Sequence, residues 1–383
     1  MKFSINSKDF RCYVERLSKV CGNSCLSGLQ GLIELESDAE AGLLMLKAGL
    51  EPTAAKIVVS EKEVKSLSVE ESGILATKYD AISSFFNIPG GITVSTKDRK
   101  LEAKGEKRCM KVLFGDAFYK QMNFGDEVCI TVDKKEIIES LKRAAIAVDK
   151  ACTRVQFSGI NIDSTKGKIY SCNGSMAIMK DMDWKVDKGI DCVIPEFVVE
   201  EFSKLAANNK KEDVRIKSLE NHLLFIGEDF TYVVRKVDCG KSLDVEALFN
   251  IKSCVNFEVD CKSFTGIVKE YAGNKENYNK AAKAPMCIAK ANEKIVTAFS
   301  SPSCETLDIL EDCVDVDGDI MVGVDAKLLK KALGVFDDGK IEIGYAKKFS
   351  PLVFNQGNYS MLLCPMRLDS VIERNLSELV KSA

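Results

Sequence analysis

Histidine is almost absent from this chain of 383 residues, which contains only His222. A single histidine excludes a histidine-rich metal site, and without a GxSxG signature we interpret it as a turn residue rather than a catalytic one. The fifteen cysteines form no CxxC pair, since the closest two are Cys21 and Cys25. Zinc ribbons and dithiol redox sites need that spacing, so we expect reduced, mostly buried thiols and no metal, cofactor or catalytic residue.

Long apolar runs and a strong net charge are also missing. No run of about 18 apolar residues occurs, and residues 1–6 begin no signal-peptide core, so we expect a cytoplasmic protein. The formal charge of -3, from 54 basic and 57 acidic residues, predicts no strong general attraction to nucleic acid, so any basic surface must be local. The composition is that of a globular protein, and the length predicts two to four domains.

A phosphate-loop pattern is present only in part. The segment from Gly334 to Lys340 fits GxxxxGK, but Ile341 stands where a magnesium-binding Ser or Thr is required. The helical pattern also precedes the glycines, whereas a phosphate loop runs from strand to helix. We interpret this segment as a helix-to-strand turn.

What the chain does contain is a repeat. Helical periodicity predicts three long helices at similar separations, over residues 8–20, 133–150 and 260–269. A pair of alternating strands follows each of them, and then a second helix and further strands. The second helices are predicted over residues 77–88, 195–207 and 325–336.

A period of roughly 125 residues is too long for a solenoid and suits three tandem copies of one α+β domain. We place the domains at residues 1–125, 126–250 and 251–368, followed by a tail at 369–383. The six predicted helices are net basic, whereas the rest of the chain is net acidic. This partition is typical of a protein that presents one positive surface to DNA, although ordinary solvated helices produce the same pattern.

The segment before the tail, Met361 to Leu368, resembles the C-terminal signature of the bacterial sliding clamp, the beta subunit of DNA polymerase III. Members of that family commonly end in a hydrophobic pair followed by x-Pro-Met-Arg-Leu, which Pro365-Met366-Arg367-Leu368 matches closely. Further landmarks resemble the family in the same order, at residues 1–4, 154–160, 172–174 and 237–249. The triplicated pattern covers residues 1–368, nearly the whole chain.

The resemblance implies an α+β fold of three tandem DNA-clamp domains, each with two helices packed on antiparallel sheet, joined head to tail in a dimeric ring. Helices would line the hole and hold double-stranded DNA through loose phosphate contacts that do not read its sequence. The implied function is a non-enzymatic processivity factor for DNA replication. The candidate DNA-channel residues are Lys8, Arg11, Lys19, Lys135, Lys142, Arg143, Lys204, Lys262, Lys269, Lys327 and Lys331.

The resemblance also implies a hydrophobic groove between the middle and last domains, into which the replicative DNA polymerase, the clamp loader and repair proteins insert short linear peptides. By motif, its members are Phe157, Cys172, Gly174, Ser175, Met176, Ala177, Leu243, Ala247, Leu248, Leu362, Leu363, Cys364, Pro365, Met366, Arg367 and Leu368. Many clamps have a His-Arg-Leu run where this chain has Ser175-Met176-Ala177, which gives a smaller and less basic rim. Alternatively, these residues merely pack the domain junction.

Two further expectations concern the protomer edge and the tail. By position in the family, the candidate homodimer-interface residues are Met110, Val112, Val268, Tyr271 and Ala272. The tail extends beyond the Arg-Leu at which family members usually stop, and its apolar residues fit an amphipathic helix on the outer surface of domain three. Alternatively, residues 375–380 loosely resemble clamp-binding peptides and fold back into the groove, in which case deleting the tail tightens partner binding.

Two other functions stay open on the sequence alone. The altered groove suggests a variant clamp-like regulator that binds clamp partners without acting as the processivity factor. An enzyme that uses scattered Asp, Glu and Cys residues is the other alternative, but the sequence contains no compact constellation of such residues.

Overall fold

The computed structural model repeats one order of elements three times along the chain. It describes residues 1–22, 30–119, 129–184, 189–207, 211–239, 243–273, 283–291, 294–300, 305–310 and 320–381. Within these ranges each copy begins with a strand and a helix, continues through four or five strands to a second helix, and ends with three strands. The predicted triplicated α+β pattern is therefore confirmed.

The three copies have the following elements. The first contains β1 (Lys2–Asn6), α1 (Ser7–Arg16), α2 (Ser18–Gly22), β2 (Leu32–Asp38), β3 (Leu43–Gly49), β4 (Thr53–Ser60), β5 (Ser68–Glu71), β6 (Gly73–Lys78), α3 (Tyr79–Ser83), a 3-10 turn (Ser84–Asn87), β7 (Gly91–Lys97), β8 (Lys100–Lys104) and β9 (Cys109–Leu113). The second contains β10 (Cys129–Asp133), α4 (Lys134–Ala145), a 3-10 turn (Val155–Phe157), β11 (Gly159–Asp163), β12 (Lys168–Cys172), β13 (Met176–Asp181), β14 (Asp191–Pro195), α5 (Val198–Ala206), β15 (Asp213–Ser218), β16 (His222–Ile226) and β17 (Phe230–Arg235). After a connection that holds α6 (Val245–Phe249), the third contains β18 (Val255–Asp260), α7 (Cys261–Gly273), β19 (Pro285–Ala291), β20 (Lys294–Ser300), β21 (Glu305–Ile309), β22 (Met321–Asp325), α8 (Ala326–Leu333), β23 (Lys340–Tyr345), β24 (Leu352–Gln356) and β25 (Tyr359–Leu363), with α9 (Ser370–Lys381) in the tail.

The first helix of every copy begins in the same way. The opening strand ends in an Asn or Asp whose side chain accepts a hydrogen bond from a backbone N–H in the first turn of the helix. Asn6 accepts from Lys8 at 3.0 Å, Asp133 from Glu136 at 2.8 Å, and Asp260 from Ser263 at 2.8 Å. Such caps satisfy backbone donors that have no partner inside the helix. This shared cap is the local cause of the repeated strand-to-helix switch.

The described strands form four sheets in which every strand pair is antiparallel. Their orders are β5-β1-β7-β8-β9, β10-β15-β16-β17-β4-β3-β2-β6, β14-β11-β12-β13-β25-β24-β23-β18 and β21-β20-β19-β22. The second sheet joins the first two copies through β17 and β4, with Tyr232 opposite Ala55. The third joins the last two copies through β13 and β25, with Ala177 opposite Leu362.

Because sheets are shared between copies, the chain divides into two compact units. Unit 1 comprises Met1–Glu139 and Phe197–Val237, and unit 2 comprises Ser140–Glu196 and Asp238–Ala383. The core of unit 1 includes Phe202 and Phe225, whose ring centroids are 4.5 Å apart. The three-domain division stays a prediction, since these two units divide the middle copy between them.

Several predicted elements have different bounds. The first helix is interrupted at Leu17, which separates α1 from α2. The predicted helix at 195–207 begins only at Val198, because Pro195 is the last residue of β14. In the tail, Leu376 and Val380 of α9 are buried against Cys287 and Val296 of β19 and β20. The tail therefore forms the predicted amphipathic helix packed on a sheet of the third copy. The alternative, in which residues 375–380 fold back into the groove, is corrected, because it needs the same side chains in the groove.

Among the described helices, none is both long and apolar enough to cross a membrane.

Candidate functional site

One face of the third sheet carries an apolar row that crosses four neighbouring strands. Cys172 on β12 lies opposite Ala177 on β13, Ala177 lies opposite Leu362 on β25, and Leu362 lies opposite Val353 on β24. Residues directly opposite one another in antiparallel strands point to the same face, and these four form one buried hydrophobic cluster. Strand register thus unites side chains that are far apart in sequence.

Half-buried apolar side chains surround this row. One comes from the 3-10 turn Val155–Phe157, and the others come from α6 and the residues on either side of it. They are Phe157, Leu243, Leu248, Phe249 and Ile251. Helix α6 is held in place by Val245, which is buried against Tyr170 and Met179. The Tyr170 hydroxyl also donates a hydrogen bond to the Leu243 carbonyl at 3.0 Å. We call the buried row and its five half-buried neighbours the groove, because a buried floor with partly exposed apolar walls can receive apolar side chains.

A tight turn beside the groove places two thiols next to one glycine. Gly174, with φ +80°, donates its N–H to the Cys172 sulfur at 3.4 Å, and the Cys364 thiol lies 3.6 Å from the Gly174 carbonyl oxygen. The Cys364 N–H donates to the Ser175 carbonyl at 2.8 Å, which extends the sheet contact beyond β25. Burial raises the pKa of both thiols. Both therefore favour the uncharged form that suits an apolar surface.

The structure separates the predicted groove residues into distinct environments. Six of them meet in the groove: Phe157, Cys172, Ala177, Leu243, Leu248 and Leu362. Met176 and Leu363 belong instead to the core of unit 2, because alternation along β13 and β25 points them to the opposite face. Their assignment to the groove is therefore corrected. Ser175 and Ala247 are exposed and lie outside the hydrophobic cluster.

The end of the C-terminal signature lines a second cavity, of about 330 Å³. Its walls are formed by Met321, Gly323, Lys348, Phe349, Met366, Arg367, Leu368, Ser370 and Glu373. The Met366 N–H donates to the Gly323 carbonyl at 2.8 Å. Leu368 packs so closely on Gly323 that a Cβ there would lie 2.6 Å from the Leu368 Cγ. Cys364 and Pro365 are both half-buried and connect the strand β25 to this cavity.

The basic candidates of unit 1 lie mostly on solvent-exposed helix faces. Lys8, Arg11 and Lys135 are exposed, whereas Lys19 and Lys204 are half-buried. Arg11 pairs with Glu15 at 2.9 Å, Lys135 with Glu212 at 3.5 Å, and Lys19 with Glu200. A cavity of about 290 Å³ has both Lys8 and Lys204 in its wall, together with Arg11, Cys12, Glu15, Arg16 and Ala207. Arg16 itself is buried and binds both carboxylate oxygens of Asp229, at 2.5 and 2.8 Å.

In unit 2, one of the basic candidates has a structural role. Lys142, Lys262, Lys269 and Lys331 are exposed and Lys327 is half-buried. Arg143 is buried, donates to the Val335 carbonyl and the Asp337 carboxylate at 2.7 Å each, and lies 4.5 Å from the Tyr359 ring centroid. Its assignment to the DNA channel is therefore corrected, since its guanidinium is already engaged inside unit 2.

The predicted interface residues differ in their surroundings, since some lie on an edge strand and others in the core. Met110 and Val112 are half-buried on β9, an edge strand of the first sheet in the described part of the chain, and the neighbouring Leu113 is 72% exposed. Val268 and Tyr271 are buried in the core of unit 2, so their assignment as direct interface contacts is corrected. The Tyr271 hydroxyl donates to Asp308 on β21, and burial together with this bond raises its pKa. Ala272 is half-buried against the same core.

No protein-family model and no curated protein matches the chain. Several solved structures are similar to the chain. The sliding clamp of Bacillus subtilis is similar with a TM-score of 0.87 at 16% identity, over 96% of this chain and 100% of that chain. The chain has the sliding-clamp fold. A putative DNA polymerase III beta subunit from Eubacterium rectale ATCC 33656 is similar with a TM-score of 0.84 at 18% identity, and the Helicobacter pylori beta clamp bound to a DNA ligase peptide with 0.80 at 17%, each with the same coverage. The clamp fold implied by the sequence resemblance is thereby confirmed.

Several site residues were not among the predicted ones, and most of them lie outside the family motifs. Val353 on β24 reaches the groove through the pairing of β24 with β25. Lys348 and Phe349 precede β24 and line the second cavity. Phe249 and Ile251 come shortly after Leu248, which was a predicted groove residue. Their apolar side chains could have indicated that they belong to the same groove.

Proposed function

We propose that this chain is a DNA sliding clamp, a non-enzymatic processivity factor that encircles duplex DNA and tethers the replicative polymerase and other partners. The observation that carries the proposal is a clamp fold over 96% of the chain. Because a fold alone does not determine function, the proposal also rests on the groove at the C-terminal signature and on the exposed basic helix faces.

The basic helix faces supply the proposed contact with DNA. Their exposed side chains, in both units, are Lys8, Arg11, Lys135, Lys142, Lys262, Lys269 and Lys331. Lysine and arginine on solvated helices attract phosphates without reading base edges, which leaves the protein free to move along the duplex. Retention on DNA then comes from encirclement rather than from affinity.

The groove supplies the proposed partner site. The Helicobacter pylori clamp was solved with a DNA ligase peptide, and we assign the same class of ligand, a short peptide with apolar anchors, to this groove. Leu362 in the groove and Met366 in the second cavity are four residues apart, so their Cα atoms lie at most about 14 Å from each other. One extended peptide with similarly spaced anchors can therefore occupy both.

Two edge strands supply the proposed ring contact. In the described part of the chain, β9 ends the first sheet and β21 ends the fourth, and both carry exposed apolar side chains, Leu113 and Ile309. Edge strands present unpaired N–H and C=O groups that pair readily with another chain. We assign the interface to β9 of one protomer and β21 of its partner, a heterologous contact that closes after two copies.

The partner site is tested with two substitutions and one matched control. Leu248→Asp places a charge in the groove, and Met366→Ala removes an apolar wall of the second cavity, so both weaken binding of a fluorescent partner peptide and lower polymerase stimulation. Val371→Asp, on the exposed side of α9, leaves both unchanged. Sedimentation serves as the check that all three proteins assemble as wild type does. Equal peptide affinities for Leu248→Asp and Val371→Asp would contradict the groove assignment.

A further inference from the structure

The tail helix α9 forms one wall of the second cavity. Leu376 and Val380 fasten the helix to β19 and β20, and its first turn brings Ser370 and Glu373 to the cavity, which Met366 also lines. This helix lies after Leu368, beyond the point at which the resemblance to the clamp family ends. The cavity therefore has a wall that the family signature does not specify.

An exposed aromatic ring with two cations near it lines this cavity. Phe349 is 62% exposed, with the Lys348 Nζ at 5.9 Å and the Arg367 Cζ at 5.8 Å from its ring centroid. The two cations differ in their partners. Lys348 forms an ion pair with Glu373 of α9, so its charge is already balanced. In the described ranges no carboxylate forms an ion pair with Arg367, which is exposed.

The balance of charge determines which occupant fits. Lys348 and Glu373 cancel, and Arg367 leaves the cavity with one positive charge beside the apolar side chains of Met321 and Met366. An incoming acidic group would gain a partner there, and guanidinium groups bind carboxylates in a well-matched planar geometry. A basic group would meet like charge, because Glu373, the acid in the cavity wall, is already paired with Lys348.

We infer that the second cavity selects peptides in which a carboxylate adjoins an apolar anchor, with Arg367 as the partner of the carboxylate. The anchor side chain lies beside Met321 and Met366, and Glu373 of α9 sets the selectivity by pairing with Lys348 in the cavity wall. This inference rests on the proposed peptide-binding function and adds the chemistry of the partner to it.

The test uses the full-length protein and a positional series of fluorescein-labelled peptides based on the DNA ligase peptide. Each position is set in turn to Asp or to Asn, and fluorescence anisotropy gives the affinity of each pair. At one position beside an apolar anchor, wild type prefers Asp over Asn by about threefold to tenfold. This ratio falls as salt concentration rises, because the contact lies at the surface.

Four variants separate the roles of the charged residues. Arg367→Gln abolishes the preference for Asp, and Arg367→Lys retains only part of it, because an ammonium group keeps the charge but lacks the planar fork. Glu373→Gln frees Lys348 and increases the preference. Lys347→Gln, an exposed neighbour outside the cavity wall, is the matched control and leaves the ratio unchanged.

The outcomes distinguish this inference from the proposed function. If no peptide of the series binds to wild type, the partner site itself fails and the inference with it. If peptides bind but Asp and Asn versions have equal affinity at every position, the inference is overturned and the groove stands. A preference that persists in Arg367→Gln also overturns it, because the carboxylate then has another partner.

Discussion

Lys142 and Arg143 are neighbours on α4 and have opposite surroundings. The lysine is exposed, whereas the arginine is buried and binds Val335 and Asp337. Helical periodicity identified both as basic residues but could not separate them, since one step along a helix turns the side chain by about 100°. The burial of Arg143 depends on residues nearly two hundred positions away, which no local pattern contains.

Replacement of Arg143 and of Lys142 tests the difference between the two residues. Arg143→Ala removes the hydrogen bonds to Val335 and Asp337 and the contact with the Tyr359 ring, so we expect unit 2 to lose about 2 kcal/mol of unfolding free energy. Lys142→Ala, the matched control, changes stability by less than about 0.5 kcal/mol but weakens salt-dependent DNA binding. Urea denaturation provides the measurement, and equal destabilisation by both variants would refute the structural role of Arg143.

Thiol reactivity provides a second prediction at the residue scale. The thiolate is the reactive form, and burial raises the pKa of Cys172 and Cys364. Alkylation by iodoacetamide therefore accelerates about tenfold per pH unit from pH 7 to 8. Cys364 is only half-buried and reacts before the buried Cys172. Mass spectrometry follows each site.

A bound partner peptide protects Cys364, whereas Cys254, which is exposed and is not part of the groove cluster, is modified at the same rate with and without the peptide. Protection of both thiols alike, or of neither, would be inconsistent with a peptide lying in the groove.

At the scale of elements, the sequence is informative where interactions are local. Each first helix is capped by a residue directly before it, namely Asn6, Asp133 or Asp260. Because the cap and the helical periodicity are both local features, the sequence was enough to locate all three first helices. Sheet composition depends on long-range pairing, such as that of β13 with β25. Nothing in either strand specifies its partner, and the shared sheets were therefore not predicted.

The groove shows the same limit. The C-terminal signature identified Leu362 through the family resemblance, and register then brings Leu362 into contact with Cys172 and Ala177. The same resemblance also assigned Met176 and Leu363 to the groove, although strand alternation points them into the core. A motif marks a stretch of chain, whereas the pleat decides which of its side chains face the ligand.

The packing of helix α9 on its sheet can be tested in the same way. Leu376 is fully buried against the sheet of β19 and β20. Leu376→Asp buries an unpaired charge, so the helix detaches and the melting temperature of unit 2 falls by several degrees. The exposed Val371→Asp is the control and leaves the melting temperature unchanged. Identical melting curves for the two variants would show that α9 does not pack on this sheet.

For the whole molecule, we expect a dimer that closes through β9. Met110→Asp with Val112→Asp places two charges in the proposed apolar contact, and we expect the double variant to sediment as a monomer at concentrations where wild type is a dimer. Ile74→Asp, at another exposed apolar site in unit 1, retains the dimer. A double variant that stays dimeric at low concentration would refute the β9 interface.

Encirclement of DNA is what distinguishes a sliding clamp from other DNA-binding proteins, and release from a cut circle detects it. The protein is loaded onto nicked circular DNA by a clamp loader with ATP, and free protein is removed by gel filtration. If retention is topological, the protein stays on the intact circle and leaves within minutes after a restriction enzyme linearises the DNA, because its contacts with phosphates are weak and mobile. Protein that remains bound equally to circular and linear DNA would contradict the clamp.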